Sequence, residues 1–179
     1  ETTEMRVRLQ IEDLRQSTLT LFLSSVLVVP FLWLLRVTSL GYNVGIPDVA
    51  ALIAMAAAGL AFGLKRNHLI LASWAFALGA CIAQNLLLVS YPGSMIVASA
   101  GGVLVIAVNA LLGPRHGLAV AMILTLGEVT VQHFARGIPF ATYRSLDYLV
   151  INGLTWSASY LAGRPLQTTT MWSLIGWQR

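Results

Sequence analysis

Charged residues are scarce in this chain: Asp, Glu, Lys and Arg together make up 10% of its 179 residues. A soluble domain carries roughly 25% and needs them because its surface faces water, so the scarcity excludes an ordinary soluble fold. It also excludes disorder, which depends on high charge and low hydrophobicity. Cys81 stands alone, which rules out an internal disulfide framework. No HExxH, CxxC, GxGxxG or P-loop pattern occurs, and the GxSxG elbow is missing too. Asp48 and Asp147 fall at helix ends, far in sequence from Glu128, so no paired-carboxylate centre is visible. The chain thus gives no sign of an enzyme, a metal site or a cofactor. The formal charge of +4 lies in short clusters without interleaved aromatics, which speaks against a nucleic-acid partner.

What the chain has is apolar length: 57% of the residues are hydrophobic. A helix crosses the hydrocarbon core with about 20 mostly apolar residues at about 1.5 Å each. Six runs approach that: Ser17 to Leu35, Asp48 to Leu64, Leu69 to Ser90, Met95 to Leu112, Gly117 to Ala135 and Leu146 to Ala162. They lack the alternating polarity of barrel strands. The expected fold is therefore an all-α integral membrane protein, a bundle of six transmembrane helices with short loops. The links, such as Tyr91 to Ser94 and Gly113 to His116, are too short to hold a domain in water.

Basic residues are retained on the cytoplasmic side. With the N-terminus inside, the inner segments hold Arg6, Arg8, Arg15, Lys65, Arg66, Arg115, Arg164 and Arg179, against Arg36, Arg136 and Arg144 outside. Both termini are expected to be cytoplasmic. Residues 1–16 read as an amphipathic lead-in on the inner leaflet, residues 17–163 as the membrane domain, and residues 164–179 as the start of a signalling helix. The first apolar run is longer than a signal-peptide core and follows Glu12 and Asp13, so it reads as a retained anchor.

Helices in lipid associate through small residues that let backbones approach. Gly59 and Gly63 form such a pair on the second run; Ala75, Gly79 and Ala83 continue the spacing on the third, and Gly153 with Ser157 repeats it on the sixth. They read as packing positions inside the bundle or as the seam of a homodimer. Pro30 should weaken or kink the first helix.

A polar side chain at membrane depth costs free energy unless it is satisfied, so it faces the bundle interior or a wet cavity. Glu128 is the foremost case, with Thr125 and Gln132 one turn away on either side. It reads as a proton-sensitive switch, a ligand contact, or a carboxyl hydrogen-bonded to an amide of another helix. Candidate amides are Gln84, Asn85, Asn109 and Asn152. His68 and His116 start helices and His133 lies towards the other face; all three read as interfacial histidines.

Ala162, Arg164, Pro165, Leu166 and Thr168, followed by Trp172, Ser173, Gly176 and Gln178, resemble the join between the last membrane helix and the signalling helix of certain bacterial sensor histidine kinases. Only about two turns of the new helix would be present, which implies that the chain is the front of a longer one. The resemblance implies a sensor region in the bacterial inner membrane that passes a bilayer-level stimulus through the sixth helix, with Arg164, Pro165 and Trp172 at the exit. It carries no catalytic residue across, because the phosphoacceptor and ATP-binding motifs have no counterpart here. Partners are then the lipid bilayer, a second copy, or a larger membrane complex. Two other layouts are similar in size: an accessory subunit of a respiratory or photosynthetic complex, and the substrate-binding membrane subunit of a vitamin transporter.

Overall fold

In the computed structural model, residues 2–40, 44–137 and 147–162 are described. They form six helices: α1 (Thr2–Leu40), α2 (Ile46–Leu64), α3 (Leu69–Ser90), α4 (Met95–Leu112), α5 (Pro114–Arg136) and α6 (147–162). Among the described residues there is no strand. Helices suit such a sequence, because each closes its own backbone hydrogen bonds where no water is at hand.

The helix ends follow local chemistry. Gly45 is extended before α2, and its N–H donates to Oδ2 of Asp48 at 2.7 Å. Pro47 is accepted in the first turn, where its missing N–H would have no intrahelical partner. For the same reason α5 starts at Pro114, three residues ahead of the apolar run. The expected four-residue link between α4 and α5 thereby shrinks to Gly113, whose φ of 96° suits glycine. Gly137, at φ 64°, closes α5 with its N–H on the carbonyl of His133.

Among the described residues, five helices are long and apolar enough to cross a membrane: Gln16–Ser39 within α1, α2, α3, α4, and Pro114–Phe134 within α5. These support a multi-pass membrane protein. Helix α1 continues through Pro30 without a break and, at 39 residues, extends about 58 Å. Helix α6 is shorter, about 24 Å over residues 147–162.

The packing order is mixed. Helix α2 packs most extensively on α3, α4 packs on α5, and α3 also meets both α4 and α5; α1 lies mainly against α2. The shared core combines Leu19 and Leu23 with Ala58, Ala61, Ala72 and Phe76, and continues through Val105, Val108 and Leu124. Alanine predominates because lipid supplies little drive between helices and close backbone contact must supply the attraction instead. Outside the core, Leu21, Val29, Leu60, Ile70, Ile96 and Leu126 are exposed. An apolar exterior around an interior that carries the polar groups is the arrangement a bilayer solvent favours.

Candidate functional site

Thr125, Glu128 and Gln132 recur at helical spacing on α5, so one face of that helix carries all three. Helix α6 meets this face with Tyr148 and Asn152, which are also one turn apart. All five are buried, Glu128 to 3% exposure. Gln132 donates its Nε2–H to the hydroxyl of Tyr148 at 2.7 Å, and that hydroxyl is hydrogen-bonded to the Glu128 carboxyl. One turn along, Asn152 donates Nδ2–H to Oγ1 of Thr125 at 2.9 Å, and the Thr125 hydroxyl donates to the carbonyl of Ala121 at 2.8 Å. Oε1 of Glu128 is buried and has no hydrogen-bond partner among the described residues.

The other amides serve different contacts. Gln84 donates Nε2–H to the carbonyl of Val97, joining α3 to α4. Asn85 donates Nδ2–H to the carbonyl of Cys81 in its own helix at 2.9 Å. Its Oδ1 lies where a Cβ on Gly127 would stand, so a larger residue there would require the Asn85 amide to turn away. Asn109 bonds to Ser159, tying α4 to α6 nearer the Gly113 end. At that end Trp156 donates its indole N–H to the carbonyl of Pro114 at 2.8 Å and stacks on Tyr160. None of the four amides reaches Glu128; Tyr148 does, and sequence reasoning overlooked it. The available signal was a hydroxyl one turn before Asn152.

The small residues divide into two groups. A Cβ at Gly79 would overlap Ala57 of α2, and Gly102 lies against Thr155 of α6. Ala83 is buried, while Ala75 packs at the edge of the core. Gly59, Gly63 and Gly153 meet nothing within 4 Å, so they face away from the bundle, and Ser157 is half-buried. Arg164, Pro165 and Trp172 lie outside the described residues.

An open apolar groove of about 500 Å³ runs between α3 and α5, lined by Trp74, Cys81, Asn85, His116, Ile123 and Val131. His116 meets Trp74 edge-on at 5.2 Å, and its Nδ1 is paired with the carbonyl of Leu112 at 2.7 Å. His68 is exposed, and the ring of His133 meets Phe134. Among the described residues no three His, Cys, Asp or Glu side chains gather as metal ligands. No family model, curated protein or solved structure matches this chain.

Proposed function

We propose that the chain is the membrane-embedded sensing and relay region of a bacterial sensor histidine kinase, with both termini cytoplasmic and α6 as the outgoing element. One observation carries this reading: a buried carboxyl is tied to α6 through Tyr148 while its Oε1 has no partner among the described residues. Any change at Glu128 alters what holds Tyr148, and with it the seat of α6 on α5. A relay requires two arrangements that a stimulus stabilises unequally. The polar contacts described between α5 and α6 are directional, which suits an interface with two arrangements better than uniform apolar packing does. No catalytic step is assigned to these residues.

The test replaces Cys81 by Ser and places spin labels at two exposed positions, Val103 on α4 and Leu161 on α6. The distance distribution in lipid nanodiscs is compared between this background and the added substitution Glu128→Gln. A redistribution between two distances supports the relay; identical distributions overturn it. Purification in fixed stoichiometry with a redox complex would replace it with the accessory-subunit reading.

A further inference from the structure

Two contacts fix how α3 and α5 run beside each other. Trp74 meets His116 edge-on, and Oδ1 of Asn85 stands against Gly127. The two pairs have the same sequence separation, so the helices are parallel and hold one register over about three turns. The groove between them starts at Trp74 and His116 and reaches Val89 and Val131, about 22 Å further along. One leaflet of hydrocarbon is about 15 Å thick, so the groove can take an acyl chain along its full length.

Charge of one sign gathers at the end that holds Trp74 and His116. From Val49 to Gly127 the sequence has no acidic residue, and its lysines and arginines are Lys65, Arg66 and Arg115. Lys65 is turned towards α1, where it donates to Oγ1 of Thr20 and lies over the ring of Phe62. Arg66 and Arg115 are exposed and make no hydrogen bond or ion pair among the described residues. Arg115 adjoins His116, and Arg66 lies in the turn just ahead of His68, the N-cap of α3. Both helices begin at this end and no side chain caps either, so their positive ends add to the field of the two arginines.

We propose that the α3–α5 groove holds an acyl chain of a phospholipid with a net negative headgroup, whose phosphate lies between Arg66 and Arg115. The depths agree. His68 stands about 9 Å before Trp74 along α3, and the headgroup layer is about 6 Å deep, so a chain that enters at Trp74 carries its phosphate to the level of the arginines. The sign of the charge selects the lipid. A zwitterionic headgroup brings a cation of its own, and this stretch of the chain offers it no carboxylate. The shape excludes a second copy of the chain: the rim carries the exposed side chains of Leu78, Ile82 and Ile123, which keep another helix from the close approach that association in lipid requires. A lipid seated in this way bridges α3 and α5.

The experiment measures quenching of tryptophan fluorescence by lipids with brominated acyl chains. The purified chain sits in phosphatidylcholine nanodiscs to which either brominated phosphatidylglycerol or brominated phosphatidylcholine is added in small, increasing fractions. Trp74 lines the groove, and the difference from Trp74→Phe isolates its share of the signal. A basic residue near an anionic lipid contributes about fivefold in affinity, so phosphatidylglycerol should quench Trp74 at a fraction about tenfold lower or less. The double substitution Arg66→Gln and Arg115→Gln should abolish this preference. Ala119→Phe, which fills the groove from an exposed position and leaves both arginines in place, should abolish it as well. Equal quenching of the unsubstituted chain by the two lipids overturns the inference, and that comparison stands even where a variant does not fold. A preference that survives the loss of both arginines overturns it too, as does one undiminished in Ala119→Phe.

Discussion

Trp33 donates its indole N–H to Oδ1 of Asp48 at 3.0 Å, while Oδ2 of the same carboxylate accepts the N–H of Gly45. One acid thus starts α2 and fastens it to α1. Trp33→Phe should leave a buried acceptor bare and destabilise the fold by about 1–3 kcal/mol. Asp48→Asn turns an N–H towards one of the two donors and should cost a similar amount. Reversible unfolding in mixed micelles measures both, and the double variant should lose less than the two single losses added together.

Glycines that look alike in the sequence should respond differently to one methyl group. Gly79→Ala pushes α3 off Ala57, and strain of that kind costs about 1–3 kcal/mol. Gly59→Ala and Gly63→Ala add a methyl group to open space and should be neutral or stabilising by up to about 1 kcal/mol in the monomer. If Gly59 and Gly63 instead seat a second copy, Gly59→Ile will lower the dimer fraction in analytical ultracentrifugation and leave the unfolding of the monomer intact.

Tyr148→Phe removes the hydroxyl that serves both Glu128 and Gln132. It should cost more than Gln132→Leu, which removes one partner, and the pair should couple by about 1 kcal/mol or more in a double-mutant cycle. Additive losses would show that the three side chains do not act as one network.

Cys81 is the single cysteine and lines the α3–α5 groove. In sealed vesicles a lipophilic maleimide should modify it, whereas a membrane-impermeant, charged thiol reagent should not do so from either side. Rapid labelling by the charged reagent would mean that the groove faces water.

The spans of α3 and α4 were legible from composition, because unbroken apolar runs ended by Tyr-Pro-Gly-Ser and by Gly-Pro leave few alternatives. The starts of α2 and α5 were less so, since Pro47 and Pro114 look like breakers until they are placed in a first turn. Thr125, Glu128 and Gln132 could be set on one face by counting residues. Their partner Tyr148 could not, because it depends on which face of α6 meets α5.

Composition and the length of the apolar runs determined by themselves that the chain is helical and suited to lipid, since both follow from the solvent each residue tolerates and from the rise of one helical turn. Which glycines touch a neighbour, which amide pairs with which hydroxyl, and which residue of α6 meets Glu128 were decided only by tertiary structure. Contacts of that kind depend on the rotation and depth of each helix against the next, and helical periodicity leaves both undetermined.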